Sequence, residues 1–413
     1  MPLTCRVIFM SLLPNNSTQS DSKIANVKEV ISQIDANDIV SRLNSWPKLI
    51  RWLCLVLLVF AMLTAVGLIG GGFKVATQEH ASTLFEYASN PILGLIIGMV
   101  CTALIQSSST VSSIIVAMVA GGLPITIAIP MMMGANIGTS ITNTIVSLGH
   151  IGNKQEFQRA FNAATIHDFF NIFAVLIFLP IEVLFGILEK ISAFLVSFFN
   201  TGTGADIGGF NPIKLVTSPI IDTVKSLTES LPPVWDGTVR IAIGMVLIIL
   251  SITWMGKIMK SLMVGRAKEM LKNSLGRGAV SGITSGTIVT VLVQSSSTTT
   301  SLMVPLVGNG IVTARSIYPF TLGANIGTCI TAVIAALSIS GVNANLALQI
   351  AFVHFVYNVM AVLLIYGVSF WREWPPNLSY QLSLRVAEQK AYGVAYIGGV
   401  FFLIPLLSIF LLT

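Results

Sequence analysis

The chain has 413 residues, 54 % of them hydrophobic and only 10 % charged, with a mean hydropathy of +0.84. Soluble domains carry about 25 % charged residues, so a soluble enzyme, a nucleic-acid binder and a secreted disulfide scaffold are excluded. The expected class is an all-α polytopic membrane protein, in which the excess of 23 Lys and Arg over 17 Asp and Glu reads as loop topology rather than a polyanion site.

Residues 1–48 are polar and of mixed charge. Their apolar stretch 6–13 is too short to span and has no cleavage pattern behind it, so they are expected as a cytoplasmic N-terminal segment. Residues 49–89 hold the first span (49–71, entered through Lys48 and Arg51) and a connector. The unit 90–189 follows. Its first part, 91–120, is broken at the centre by Gln106-Ser107-Ser108-Ser109-Thr110. Each arm is about 15 residues, or about 22 Å as helix, against a hydrocarbon core of ~30 Å. Two short arms with a polar tip predict a re-entrant hairpin. Residues 125–148 are long enough to cross, but Gly134-Ala135-Asn136-Ile137-Gly138-Thr139 predicts a discontinuous helix with freed backbone groups. Residues 157–188 cross next, and 190–237 read as an external loop with one surface helix. The segment 238–276 holds a linking span and the strongest basic cluster, Lys257, Lys260, Arg266, Lys268 and Lys272, continued by Arg277, which places it in the cytoplasm. Residues 277–370 replay the earlier pattern, and 371–413 supply a loop and a final span.

The replay is an internal duplication. Gln106-Ser107-Ser108-Ser109-Thr110 recurs as Gln294-Ser295-Ser296-Ser297-Thr298 at an offset of 188, and Gly134-Ala135-Asn136-Ile137-Gly138-Thr139 as Gly323-Ala324-Asn325-Ile326-Gly327-Thr328 at 189. His167 and Asn171 match His354 and Asn358 at 187; Gly94 and Gly98 match Gly282 and Gly286. Three crossings between the hairpins would turn the second repeat upside down relative to the first. Inverted repeats with broken helices are the architecture of secondary transporters.

The chemistry follows from these residue types. A hairpin tip offers backbone N–H groups at a helix start, a positive dipole end and serine hydroxyls, which together suit an oxyanion. Unwound carbonyls, the side-chain oxygens of Asn136 and Asn325, and the hydroxyls of Thr139, Thr328 and Thr331 are hard ligands suited to sodium. The paired glycines Gly94/Gly98 and Gly282/Gly286 read as packing positions that let hairpin arms approach closely. No Asp or Glu lies between Glu269 and Glu373, so the second repeat handles cations with neutral oxygens. Asp168 lies in an apolar span, where an acid is functional by default, and its mate is Phe355. Its structural alternative is a pairing with Lys154 or Arg159 near the membrane surface. His167 and His354 read as polar partners inside the bundle, with Asn171 or Asn358 one turn on; proton transfer is the alternative. No Walker-A, GxGxxG or HExxH pattern occurs, so no nucleotide, transition metal or enzymatic activity is indicated. The four cysteines (Cys5, Cys54, Cys101, Cys329) are far apart and form no CxxC.

The paired QSSS and GANIGT motifs, with Arg159-Ala160-Phe161 and Thr165-Ile166-His167-Asp168-Phe169-Phe170-Asn171, resemble the type II sodium/phosphate cotransporters over about residues 50–412. The resemblance implies sodium-coupled uptake of inorganic phosphate. It implies phosphate contacts from Gln106, Ser107, Ser108, Ser109, Ser295, Ser296 and Ser297. Sodium ligands would be Gln294, Ser295, Thr328 and Thr331 at one site, with Asn171 and Asn325 at another. Asp168 stands where the family's electrogenic members carry Asp and the electroneutral ones Gly. The loop 190–237 lacks the cysteines that bridge the vertebrate members' external loop. A soluble C-terminal regulatory domain of some bacterial relatives has no counterpart before Thr413, and a bacterial inner-membrane member is the expectation. On the residues alone, a symporter of sulfate or a dicarboxylate, an anion channel, and a phosphate sensor without flux remain open.

Overall fold

The computed structural model of the chain describes residue 43 and residues 45–77, 90–199, 212–274, 278–339 and 343–412. The N-terminal segment therefore lies largely outside the described residues, as do the side chains of Lys260, Arg266, Lys268 and Lys272, and Arg277 altogether. Every regular element among the described residues is helical. Among the described residues, seven helices are long and apolar enough to cross a membrane: Lys48–Thr77, Ile125–His150, Lys154–Phe185, Pro233–Met259, Ala314–Leu337, Ala344–Tyr366 and Ala391–Leu411. Three of them separate the two short helix pairs, as the sequence requires.

In chain order α1 (Lys48–Thr77) is followed by the pair α2 (Pro91–Ile105) and α3 (Ser108–Ala120). Then come α4 (Ile125–Thr139), α5 (Ile141–Ser147) and α6 (Lys154–Phe185). Helices α7 (Ile187–Phe199) and α8 (Pro212–Thr228) lead into the long α9 (Pro233–Ser274). The second pair is α10 (Ala279–Val293) with α11 (Ser296–Ser301) and α12 (Met303–Gly308). Next are α13 (Ala314–Leu337) and α14 (Ala344–Ala361), which ends in a π-helical turn, Val362–Tyr366. Short α15 (Ser369–Arg372) and α16 (Trp374–Glu388) precede the final span, made of α17 (Ala391–Gly398), a π turn (Gly399–Leu403) and α18 (Ile404–Leu412).

Burial sorts these spans. Within the apolar windows, 83 % of Ile125–His150 and 72 % of Ala314–Leu337 is buried, against 11 % of the final span. The two GANIGT-bearing helices thus form the centre, and the last span faces outward. Helix ends follow local chemistry. Asn153 caps α6 by accepting from the N–H groups of Gln155 and Glu156. At the other end Gly186 takes φ +59, and the Glu182 carboxylate accepts from the N–H of Leu188 (2.6 Å) and Glu189 (3.1 Å), so the exit from α6 is also the cap of α7.

One expectation is corrected. Gly134–Thr139 and Gly323–Thr328 are not unwound: they lie inside α4 and α13, and the chain only changes helix at Ser140, itself right-handed at φ −75°, ψ −17°. The glycines serve close approach. A Cβ on Gly134 would collide with the Leu95 carbonyl and one on Gly98 with the Met131 carbonyl; Gly323 and Gly286 repeat this against Ile283 and Phe320. Each first arm therefore lies backbone to backbone on the GANIGT helix of its own repeat, not on its own second arm. The motif residues keep helical conformation, but the Asn136 carbonyl accepts from the Asn171 side chain (2.8 Å) and the Ser140 N–H turns to the Ile137 carbonyl.

Candidate functional site

The two polar tips have the same construction. Gln106 (φ 58°, ψ 27°) and Gln294 (φ 56°, ψ 28°) are the only described non-glycine residues with positive φ. The next residues, Ser107 (φ −152°, ψ 103°) and Ser295 (φ −156°, ψ 108°), are extended N-caps of α3 and α11. Their hydroxyls accept from the N–H of Thr110 (3.3 Å) and Thr298 (3.2 Å). A left-handed glutamine costs conformational energy, and its side chain closes the turn: Nε2 of Gln106 donates to the Ala103 carbonyl, and that of Gln294 to Val291 at 2.7 Å. The amide oxygens then accept from Thr142 (2.8 Å) and Thr331 (3.0 Å), which are themselves mates. Ser108, Ser109, Ser296 and Ser297 are buried behind these tips, at the start of their helices, where backbone N–H groups have no intrahelical acceptor.

Behind the tips the repeats are tied to each other. Asn136 on α4 donates to the Asn358 side chain (2.9 Å), and its oxygen faces His354 Nε2 at 3.0 Å, both on α14. Asn325 on α13 donates to the Asn171 side chain (2.8 Å), and its oxygen faces His167 Nε2 at 2.6 Å, both on α6. Each GANIGT asparagine thus reaches the His–Asn pair of the other repeat. His167 and His354 are thus polar partners inside the bundle; Asn358, one turn on, donates to the His354 carbonyl (2.8 Å), while Asn171 donates to the Asn136 carbonyl (2.8 Å). All six groups are buried, so each hydrogen bond offsets a desolvation that would otherwise cost about 1–3 kcal/mol.

The first repeat adds polar groups that the second lacks. Asn143 lies 3.4 Å from His167 Nδ1 and accepts from Thr300 of the second repeat at 2.9 Å. Its mate is Ala332, and His354 Nδ1 accordingly has no hydrogen-bond partner. Consecutive Thr142 and Asn143 therefore link the Gln106 tip to the helix behind the Ser295 tip. Asp168 is fully buried; its Oδ2 accepts from Tyr396 (3.0 Å) and Thr144 (3.3 Å), while Oδ1 has no partner. The pairing of Asp168 with a surface cation is not what the structure shows: Arg159 donates to the Gly308 carbonyl at 2.9 Å instead.

Of the residues expected at a sodium site, Gln294 and Thr331 are in direct contact, and Ser295 adjoins them in the turn. The Thr139 and Thr328 hydroxyls donate to carbonyls of their own helices, Ala135 (2.9 Å) and Ala324 (3.0 Å). The side-chain oxygens of Asn136, Asn171 and Asn325 serve the crossed network. Sequence reasoning missed Thr142, although its mate Thr331 and the offset of 189 pointed to it. Asn143, Thr144 and Tyr396 carried no repeat signal: the first two have apolar mates (Ala332, Val333), and Tyr396 lies outside both repeats.

The Na+/Pi-cotransporter family model matches residues 59–200 and 247–370, which takes in both repeats. Sodium-dependent phosphate transport protein 2B of Homo sapiens is 34 % identical over 83 % of this chain and 61 % of that protein. Protein 2A is 32 % identical in Ovis aries, over 84 % of this chain and 65 % of that protein, and 31 % in Mus musculus, over 87 % and 67 %. The chain thus spans 61 % of the length of the human 2B relative. No solved structure matches it.

Proposed function

Because this chain belongs to the Na+/Pi-cotransporter family, we propose that it is a multi-pass cell-membrane symporter that couples sodium entry to the import of inorganic phosphate. The observation that carries the reading is the pair of matched Gln-Ser tips, each presenting hydroxyls and free helix-start N–H groups. Phosphate is bound by Gln106, Ser107, Ser108 and Ser109 from one tip and Ser295, Ser296 and Ser297 from the other, with N–H groups and hydroxyls satisfying its oxygens. The two helix pairs act as re-entrant hairpins from opposite leaflets, and the repeats are inverted, in keeping with the three spans between them.

Sodium neutralises the charge that phosphate brings to mid-membrane. Gln294, Ser295, Thr328 and Thr331 form one neutral-oxygen site. Asp168, with Asn171 and Asn325, forms a second, and Asn136 and Thr139 occupy the matching positions of the first repeat. Asn136, Asn171 and Asn325 reach sodium by exchanging their present hydrogen bonds. Those same crossed bonds join surfaces that move as the repeats rock between outward and inward states. A carboxylate in one repeat only makes the cycle electrogenic. Each net charge carried inward contributes about 2.3 kcal/mol per 100 mV, and each tenfold sodium gradient about 1.4 kcal/mol.

Radiolabelled phosphate uptake by purified protein in proteoliposomes tests this reading. Accumulation against a gradient that requires sodium and resists sulfate and dicarboxylates is expected. Sodium-independent conduction identifies a channel, and uptake competed equally by sulfate reassigns the substrate.

A further inference from the structure

The final span lies outside the duplicated repeats and is the least buried of the seven, yet one of its side chains reaches the only carboxylate in the polar centre among the described residues. We propose that Tyr396 is a positioning residue that sets which oxygen of Asp168 faces the coupling cation. The inference rests on the functional reading in which Asp168 handles a cation.

A carboxylate has two equivalent oxygens and is an acceptor only, so the phenol O–H donates in the 3.0 Å contact to Oδ2. Thr144 donates to the same oxygen at 3.3 Å. These two donors share Oδ2, while the Ser140 hydroxyl, also beside Asp168, donates to the Ile137 carbonyl at 2.7 Å. Oδ1 is left buried and without a protein partner. An unpartnered buried carboxylate oxygen is costly, and a cation is the ligand whose chemistry would satisfy it. Tyr396 is held for this task. Its ring packs against Phe161 (6.2 Å), Phe169 (6.3 Å) and Phe401 (6.3 Å), so the hydroxyl has little freedom to swing to the other oxygen. The π-helical turn Gly399–Leu403 begins three residues later, and such turns inside membrane helices commonly accompany functional positions. Phe401, within that turn, supplies one of the three rings. Asp168 has no acidic mate in the second repeat, and Tyr396 belongs to neither repeat. Donor and acceptor are therefore both specific to the asymmetric half of the centre.

The test compares Tyr396→Phe with Phe401→Leu in the full chain, the second variant disturbing the same ring packing without touching the hydroxyl. Two quantities are read: the infrared carboxylate band of Asp168, identified by its loss in Asp168→Gly after isotopic labelling of aspartate, and the sodium dependence of phosphate uptake. Tyr396→Phe is expected to shift the band and to raise half-saturating sodium about tenfold, the size of one hydrogen bond to a charged group. Half-saturating phosphate stays within about twofold, and Phe401→Leu, which removes one of the three rings but keeps the hydroxyl, moves both quantities less than Tyr396→Phe does. An unmoved band in Tyr396→Phe, or an equal sodium shift from Phe401→Leu, reduces Tyr396 to packing and overturns the proposal. If the wild-type protein takes up no phosphate, the transport reading fails separately, and the band still decides whether Tyr396 orients Asp168.

Discussion

At the two Gln-Ser tips the backbone dihedrals agree to within a few degrees, and the same threonine mates, Thr142 and Thr331, close the same glutamine turns. One turn further along, agreement stops. Ser140, Asn143, Thr144 and Asp168 of the first repeat stand where the second has Cys329, Ala332, Val333 and Phe355. The two repeats agree at the tips, which the proposed function places on one ligand, and differ behind them. The first repeat has a polar pocket with a carboxylate, while the matching four positions of the second carry no charge. In the proposed transport cycle the shared parts bind the anion, and the unshared ones decide how much charge moves with it.

The comparison can be broken at its shared end. Ser108→Trp and Ser296→Trp each place a bulky ring at a buried helix start. Both should eliminate phosphate uptake in proteoliposomes while the protein still inserts and remains monodisperse; wild-type uptake in either would show that its tip is not at the substrate. At the unshared end, Asp168→Gly should abolish the sodium-dependent current on a solid-supported membrane yet leave measurable phosphate flux. Phe355→Gly, its mate, should leave the current in place. An undiminished current in Asp168→Gly would contradict the assignment of the charge-carrying site.

Smaller effects sharpen the packing side. Gly134→Leu and Gly323→Leu drive a side chain into a neighbouring backbone carbonyl, which should cost about 3 kcal/mol or more in each repeat and appear as equal losses of melting temperature. Unequal losses would mean that the two arm contacts are not equivalent. The mildest change converts one repeat toward the other. Ala332→Asn supplies an amide where His354 Nδ1 lacks a partner, and Asn143→Ala removes one from His167. The first should raise stability by about 1 kcal/mol and the second lower it by about 1–3 kcal/mol, read by thermal unfolding in detergent.

Much of this is legible in the sequence because duplication printed it twice. The tips, the GANIGT helices and the His–Asn pairs all recur at offsets of 187 to 189, and the span order follows from hydropathy alone. Glycine is where the one-dimensional pattern misleads. Gly134 and Gly138 suggest a broken helix, because a glycine in a span is equally compatible with unwinding and with close approach; the Leu95 and Met99 carbonyls that fill the space are not visible in one dimension. The direction of the His–Asn bonds is hidden for the same reason. His167 and Asn171 are one turn apart and invite a local pairing, but the acceptor for His167 sits 158 residues away. Tyr396 could not be found at all, since nothing in its own span marks it and its partner Asp168 is 228 residues earlier.

The central claim is that both tips hold one phosphate. A density map of the protein with sodium and phosphate bound tests it most directly. A single tetrahedral feature is expected within hydrogen-bonding distance of the start of α3 at Ser108–Ser109 and of α11 at Ser296–Ser297 together. Phosphate density at one tip alone, or away from both, would contradict the claim.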